Sequence, residues 1–339
     1  MASNSNNISE AEAALYDRQI RLWGLEAQKR LRASSVLFIG LKGLGAEVCK
    51  NIVLSGIKSI TLMDHNNVTE EDFCSNFLIS SREDIGRNRA EASVERTQEL
   101  NPNVMVTADT DSPDQKPDNF FEQFDVVCAT CCPRATIFRL NNICHDKDVK
   151  FFAGDVFGFY GYMFADLNEH EFVEEKPKMV EKEDSKGVKR LTADDTETVV
   201  TKKTFSYCRF KDALEVDWST EKYTKALKRA SDVYFIMQIL LMFRDKFGRD
   251  PQPSNLENDR TELHRLRDEV LDMLKVKSDP VDDNFSGHCA AELSPICAIV
   301  GGVMGQEIIK AVSCRDVPHN NFFFFNGLNS AGIVDCIGS

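Results

Sequence analysis

The sequence lacks the features that would mark a secreted or membrane-spanning protein. Its 11 cysteines are an odd number scattered over 339 residues, which argues against a framework of paired disulfides and for a reducing compartment. Residues 1–7 are polar and contain no apolar stretch of the kind found in a signal peptide. No run reaches the ~18 apolar residues of a membrane span. We therefore expect a soluble intracellular protein that does not insert into a membrane.

A surplus of basic residues is also missing. The chain has 41 lysines and arginines against 54 aspartates and glutamates, a net charge of −13, so nucleic acid is not expected as its main partner. The acidic surface would suit a basic protein partner, but it is also ordinary solubilising charge. Hydrophobic residues make up 42% of the chain, which is enough for a packed core.

What the sequence does contain is a regular alternation of strand and helix patterns. Residues 36–39 are typical of a buried strand, and a glycine-rich turn leads into a helical pattern over 46–54. A second strand over 59–63 ends at Asp64, and the alternation continues to about residue 153. This pattern predicts an α/β protein with a Rossmann-like, doubly wound, mostly parallel sheet and flanking helices.

The same pattern suggests four segments. Residues 1–34 form an N-terminal helical segment, and residues 35–168 form the Rossmann-like half. Residues 169–204 are heavily charged with few apolar anchors and are predicted to be a flexible insertion. Residues 205–339 add helices and a C-terminal strand that complete the fold. Three glycines in the apolar helix predicted over 296–312 suggest close packing against another element or a second chain.

The glycine-rich turn is the first candidate site. A dinucleotide-binding turn reads G-x-G-x-x-G, and here Lys42 stands between Gly40 and Gly43 where the middle glycine would be, with Gly45 closing the turn. Asp64 lies about 20 residues on, where an acidic residue could accept from a ribose hydroxyl. The turn is therefore compatible with a nucleotide site, or with a turn whose glycines are kept only for tight packing of strand against helix.

The second candidate is the short helical segment before the first strand. It reads YDRQIRLWG over residues 16–24 and places Arg18 and Arg21 on one helix. The plain interpretation is an amphipathic helix with solvated arginines. Arginine also suits two-pronged contacts with phosphate or carboxylate groups, and the segment lies outside the alternating core. Both interpretations remain open from the residues alone.

This segment, followed by a strand and a glycine-rich turn, resembles the opening of ubiquitin-like activating enzymes and of bacterial sulfur-carrier adenylyltransferases, which share a ThiF-like fold. The resemblance continues through residues 40–56, 86–92, 153–158 and 292–313 and covers nearly all of the chain except the charged segment. Residues 40–47 and 154–158 look like the heterodimeric branch of the family whose modifier is SUMO. Active members adenylate the C-terminal carboxylate of the modifier with ATP and Mg²⁺.

The resemblance also shows which groups this chain lacks. Where the family pattern has an asparagine and an arginine, this sequence has Cys74 and Ser75, and Cys131 and Cys132 stand where a metal-binding Asp and an Asn are expected. A lysine near the phosphates is matched only by Arg89. Two groups that stabilise charge in the reaction are therefore missing. The resemblance implies a relic site made of Gly40, Gly43, Gly45, Asp64 and Arg89, with no functional nucleotide or metal binding in this chain.

In the family these folds pair, in some members as pseudo-symmetric heterodimers with one live site. The resemblance implies that this chain is the smaller, non-catalytic half and that Arg18 reaches across the interface to the ATP phosphates of its partner, as an arginine finger does. ATP, Mg²⁺ and the thioester cysteine would belong to the larger catalytic subunit. The expected partners are that subunit, SUMO, and a conjugating enzyme bound through the partner chain.

Other interpretations remain. The pair Cys128 and Cys131 has metal-like spacing, but it has no second pair, which makes it weak evidence for zinc. An autonomous homodimeric adenylyltransferase and an NAD-dependent oxidoreductase are the alternatives, the second resting only on the turn and Asp64. Residues 182–190 are loosely basic. We expect the protein in the nucleus, with the cytoplasm as an alternative.

Overall fold

A computed structural model describes residues 8–179, 182–183, 189–190, 196–277 and 279–338 of the chain. The helices are α1 (Glu10–Leu15), α2 (Asp17–Trp23), α3 (Leu25–Ala33), α4 (Gly43–Leu54), α5 (Asp72–Ser75), α6 (Arg89–Leu100), α7 (Arg134–Asp146), α8 (Phe210–Leu214), α9 (Glu221–Ala226), α10 (Asp232–Phe247), α11 (Leu256–Met273) and α12 (Ser294–Ser313). The strands are β1 (Ser35–Ile39), β2 (Ser59–Met63), β3 (Met105–Asp109), β4 (Val126–Thr130), β5 (Lys150–Phe157), β6 (Tyr160–Asp166), β7 (Glu169–Met179), β8 (Lys182–Glu183), β9 (Lys189–Arg190), β10 (Thr196–Ser206), β11 (Phe322–Asn326) and β12 (Ala331–Asp335).

A central sheet of eight strands organises the molecule, in the order β12-β11-β6-β5-β4-β1-β2-β3. The strands β5, β4, β1, β2 and β3 are parallel to one another, whereas β6, β11 and β12 add an antiparallel extension next to β5. The predicted mostly parallel, doubly wound sheet is confirmed. The carboxyl ends of β1, β2 and β4 meet at one edge of the sheet, which is where ligand sites form in such folds.

Helices cover both faces of this sheet. On one face Phe38 belongs to a core shared with α3, α4 and α12, and on the other Leu37 belongs to a core shared with α7, α10 and α11. Alternate residues of β1 therefore enter different cores. Both faces of a parallel strand must be apolar in that arrangement, which explains why residues 36–39 form an unbroken apolar run.

Helix α12 is the central helix of one layer. The glycines predicted to allow close packing do so within this chain: an ideal Cβ on Gly301 would lie 2.7 Å from Glu47 Cβ, and one on Gly305 would lie 2.7 Å from Asn51 Cβ. Gly302 faces open space. By length and composition α12 could cross a membrane, but 67% of its most apolar window is buried inside the fold. Such burial is typical of a core helix.

The charged segment 169–204 contains two long strands that its composition did not predict, and its flexibility stays a prediction. Strands β7 and β10 pair antiparallel along their whole length, from Glu169 opposite Ser206 to Met179 opposite Thr196. Fully buried Phe172 anchors the base of this hairpin, together with a backbone hydrogen bond from Val173 N to Cys314 O of 3.1 Å. The residues that the hairpin contacts lie far from it in sequence, so the composition of the segment could not reveal these contacts. Residues 184–188, which belong to the loosely basic stretch, lie outside the described residues.

Two further features of the fold concern residues 220–247 and 157–167. The helical residues 220–247 are divided, because Ser231 caps a new helix, α10, with a hydrogen bond from Val233 N to its Oγ. The aromatic-rich residues 157–167 include β6, which lies between β5 and β11. The antiparallel extension through β11 and β12 continues the sheet beyond it, and full burial of β6 explains its apolar composition.

Candidate functional site

A cavity of about 830 Å³ opens at the carboxyl ends of β1, β2 and β4. Its lining includes the predicted relic residues Gly40, Asp64 and Arg89 together with Cys74, Ser75, Cys131 and Cys132. The structure therefore brings together the turn, the acidic residue after β2 and the two cysteines after β4. The site has the position expected for a nucleotide pocket, so its chemistry depends on which of its groups are still available to a ligand.

The glycine turn is shaped by packing. Gly40 has a φ of +85°, and an ideal Cβ there would lie 2.0 Å from Thr130 O, on the neighbouring strand. An ideal Cβ on Gly45 would lie 2.3 Å from the carbonyl oxygen of Gly40. Both positions require glycine for the tight approach of strand and helix, with no ligand involved. This agrees with the interpretation of the turn as retained scaffold.

Two backbone donors of the turn are already used within the chain. Leu41 N donates to Asp64 Oδ2 at 2.9 Å, and Gly43 N donates to Glu292 Oε2 at 3.0 Å. The N-terminus of a helix after such a turn is the usual position of a bound phosphate, because its free N–H groups and the helix dipole attract an anion. Here the carboxylate of Glu292 occupies the start of α4. The chain thus supplies its own anion where a nucleotide phosphate would bind.

Arg89 is held inside the fold. It is only 4% exposed and donates to Asp64 Oδ2 at 2.8 Å, to Asp72 Oδ1 at 3.1 Å and to the carbonyl of Asn67 at 3.2 Å. Burial alone would raise the pKa of Asp64, but the guanidinium of Arg89 and the backbone N–H groups of Leu41 and Asn66 together outweigh it, and the net pKa is lowered. The two oxygens of Asp64 also accept from Leu41 and Asn66. Asp64 is therefore not available to a ribose hydroxyl, which removes the main support for an NAD site.

At the position of the missing metal-binding aspartate, the Cys131 thiol lies between two carboxylates. Its Sγ is 3.6 Å from Asp155 Oδ1 and 3.9 Å from Glu292 Oε1. Burial raises the pKa of Asp155, of Glu292 and of the Cys131 thiol. The potential ligand atoms of the three residues lie within 4.8 Å of one another, but Mg²⁺ prefers oxygen ligands and keeps several waters. A protonated thiol in a buried pocket does not fit ATP-bound Mg²⁺.

Arg244 pairs with the carboxylates of Asp155 and Asp250 in the cavity, a role that the sequence did not predict. From α10 it donates to Asp155 Oδ2 at 2.6 Å, to Asp250 Oδ1 at 2.6 Å and to the carbonyl of Cys132 at 3.0 Å. Asp250 in turn lies 3.7 Å from Lys42 Nζ. No local motif signals this network, because its members come from distant parts of the chain. The cations that face the cavity are thus satisfied by carboxylates of the same chain.

The remaining substituted positions add no charge. Ser75 Oγ lies 3.4 Å from Glu292 Oε2, and Ser75 packs against Gly43, while Cys74 is exposed. Cys128 is fully buried among apolar side chains of β4, whereas Cys131 contacts the cavity carboxylates. The two thiols have different surroundings and are both free. The Cys128–Cys131 spacing therefore does not build a zinc site.

Arg18 has the opposite environment. It lies on α2 at the surface and makes no hydrogen bond or ion pair with any residue in the described ranges. Leu15 and Leu22, at the helix-neighbour spacings of three and four residues from it, are 59% and 73% exposed. Arg21, by contrast, pairs with Asp17 at 3.0 Å. An unpaired guanidinium among exposed leucines is typical of a surface that contacts another chain.

The comparisons with known proteins agree with this geometry. A family model for the ThiF family matches residues 16–336. The SUMO-activating enzyme subunit 1 of Xenopus laevis is 55% identical over 98% of this chain and 97% of its own length. The human protein of that name is 54% identical, covering 98% and 96%, and the Danio rerio protein 53%, covering 98% and 97%. The chain belongs to the ThiF family.

Proposed function

We propose that this chain is the non-catalytic subunit of a heterodimeric enzyme that activates SUMO by ATP-dependent adenylation and thioester formation. Relatives similar over nearly their full length carry the name SUMO-activating enzyme subunit 1, and a numbered subunit implies at least one further chain. Pairing of the cavity cations within this chain supports a division of labour in which the reaction takes place elsewhere.

In this proposal the larger partner subunit binds ATP and Mg²⁺ and carries the thioester cysteine. SUMO binds to the heterodimer, and the conjugating enzyme is recruited through the partner. This chain binds no nucleotide or metal of its own. Its cavity contributes a rigid scaffold: the Glu292 carboxylate holds the start of α4, and Arg244 ties α10 to β5. The fold is thereby maintained without a ligand.

Arg18 is the residue through which this chain takes part in the chemistry. During adenylation the C-terminal carboxylate of the modifier attacks the α-phosphorus of ATP, and the bond from that phosphorus to the pyrophosphate oxygen breaks. Negative charge accumulates on the leaving pyrophosphate, and a cation placed there lowers the barrier. An exposed guanidinium without an internal partner can supply that charge to a neighbouring subunit.

The observation that carries the proposal is this contrast between Arg18 and the cavity. The cations of a working adenylation site must be free to contact phosphate, yet Arg89 and Arg244 are buried against carboxylates. The single arginine of α2 without a partner in the described residues lies on the surface, beside exposed leucines. The site residues and the absence of a bound cofactor stay predictions until they are tested on the assembled enzyme.

ATP–pyrophosphate exchange tests the proposal directly. Exchange would be measured with SUMO for this chain alone, for the catalytic partner alone and for the purified heterodimer. We expect exchange only with the heterodimer. Robust exchange by this chain alone would instead establish an autonomous homodimeric adenylyltransferase. Isothermal titration of the chain with ATP and with NAD would add an independent readout, and heat of binding for neither nucleotide is expected.

The expected nuclear localisation belongs to the same proposal. SUMO activation in the nucleus would require both subunits there. Fluorescent tagging of this chain in cells, with and without the partner, measures it. A chain that stays cytoplasmic even with its partner would contradict the localisation while leaving the enzymatic role intact.

A further inference from the structure

The helix that carries Arg18 has little to stabilise it alone. Helix α2 has seven residues, and the side chain of its N-cap residue, Tyr16, makes no capping hydrogen bond. Helices of this length are not stable in isolation. Its position must therefore be set by contacts with the body of the protein.

Those contacts converge on the C-terminal end of α4. The last carbonyls of a helix have no partner within the helix. Here three consecutive carbonyls accept from side chains: Val53 O from Asn101 Nδ2 at 3.0 Å, Leu54 O from Gln19 Nε2 at 3.1 Å, and Ser55 O from Gln28 Nε2 at 2.9 Å. Gln19 lies on α2 and Gln28 on α3. The N-terminal helices thus cap the helix that follows the glycine turn.

Tyr16 strengthens the same connection. Its buried hydroxyl accepts from Asn101 Nδ2 at 2.9 Å, and its ring packs on Gly56, where an ideal Cβ would lie 2.6 Å from Tyr16 Cζ. Gly56 has a φ of +81°, in the left-handed region that favours glycine. Both the conformation and the space at this position admit only glycine. The contacts with Asn101 and Gly56 therefore hold Tyr16 in a fixed position against the end of α4.

We propose that Tyr16 and Gln19 are positioning residues for Arg18. They flank it in sequence, one two positions before and the other immediately after. Their hydrogen bonds to Asn101 and to the α4 terminus fix the direction in which α2 presents the guanidinium to the partner. The inference rests on the proposed function of Arg18 in trans. Placement of a charge matters steeply in catalysis, since an error near 1 Å can cost about 10²-fold in rate.

A double-mutant cycle in the heterodimer tests this. Tyr16→Phe keeps the ring on Gly56 but removes the hydroxyl, and Gln19→Met keeps the length but removes the donor. Each would be combined with Arg18→Ala, and kcat and KM for ATP would be measured by ATP–pyrophosphate exchange. We expect each single change to lower kcat by about 3–10-fold, consistent with loss of one hydrogen bond, with KM little changed. In the Arg18→Ala background neither change should lower kcat further.

Gln123→Met is the matched control, because Gln123 also donates its amide to a backbone carbonyl, that of Phe120, but does not contact α2. It should leave kcat unchanged. Size-exclusion chromatography checks that each variant still forms the heterodimer. Because Tyr16→Phe and Gln19→Met are separate changes, the test still stands if one of the two variants fails to fold. If Tyr16→Phe and Gln19→Met lower kcat equally with and without Arg18, they act structurally and the inference is overturned. If Arg18→Ala alone changes nothing, the trans role itself fails, which is a different result.

Discussion

The cavity and the surface of α2 use the same side chain in opposite ways. Arg89 and Arg244 are buried in the cavity and each contacts two carboxylates, whereas Arg18 is exposed and has no partner within the described part of the chain. The guanidinium is chemically identical in all three. What differs is whether the fold has already neutralised it. An arginine can serve a ligand or another subunit only where its own chain leaves it unpaired.

Under the proposed function, the cavity illustrates how a nucleotide fold persists without its ligand. A buried carboxylate at the start of α4 and two buried arginines with their aspartates fill the electrostatic roles that phosphate and its binding groups would have. Buried ion pairs contribute little net stability, but an unpaired buried charge is costly. Once these pairs exist, each partner is retained because removal of either leaves the other uncompensated.

The largest effect is expected from Arg244→Met. The change leaves buried Asp155 and partly exposed Asp250 without their shared cation. Breaking the buried Arg244–Asp155 pair in this way costs about 3–5 kcal/mol. Urea unfolding of the purified chain measures it. Arg265→Met on α11 is the control, because its ion pairs with Glu262 and Glu269 lie at the surface and such pairs contribute at most about 1 kcal/mol. Equal midpoints for the two variants would show that the cavity charges are not structural.

Arg18→Ala should have the next largest effect, and on activity alone. Loss of one preorganised cation from a transition state typically lowers kcat by about 10²–10³-fold. The rate of ATP–pyrophosphate exchange by the heterodimer should therefore fall by at least ~10²-fold. Because Arg18 is exposed and unpaired within the described residues, the stability of the chain and formation of the heterodimer should not change. Normal exchange kinetics, or loss of the heterodimer, would each refute the role in trans.

The contrast between the two regions also explains what the sequence could predict. The alternation of strands and helices and the glycine turn depend on neighbours in sequence, and both are confirmed. The unpaired state of Arg18 could not be read from the sequence, but its place outside the core could. Local patterns therefore predicted the scaffold, and the resemblance to the family indicated the missing groups.

The cavity network required the three-dimensional structure. Gly43 and Glu292, which form the anion contact at α4, are 249 positions apart, and Arg244 and Asp155 are 89 apart. No periodicity or motif connects such pairs. The charged hairpin of β7 and β10 was missed for the same reason, since Phe172 and the contact of Val173 with Cys314 anchor it from outside the segment. Charge composition alone suggested flexibility there.

A smaller effect, dependent on pH, is expected for Asp64→Asn. The folded pKa of Asp64 is lowered, because the Arg89 guanidinium and the backbone N–H groups of Leu41 and Asn66 together outweigh the effect of burial. Its contribution to stability is therefore fully present above its ordinary value of 3.8 and is lost as the pH falls through the lower folded pKa. Urea unfolding should show a deficit of about 1–3 kcal/mol at pH 7, the cost of a lost charged hydrogen bond. The deficit should shrink below about pH 4. A deficit independent of pH would contradict the ion pair.

The smallest effect is expected for Arg21→Ala, the change that isolates what is special about Arg18. Arg21 lies on the same helix, three positions later, but it is 77% exposed and forms an ion pair with Asp17. Exposed pairs at this spacing contribute about 0.3–0.5 kcal/mol, so exchange kinetics should stay within about 2-fold of the original, the rate equivalent of that energy. If Arg21→Ala impaired exchange as strongly as Arg18→Ala, the general positive charge of α2 would matter. The distinction between paired and unpaired arginines would then fail.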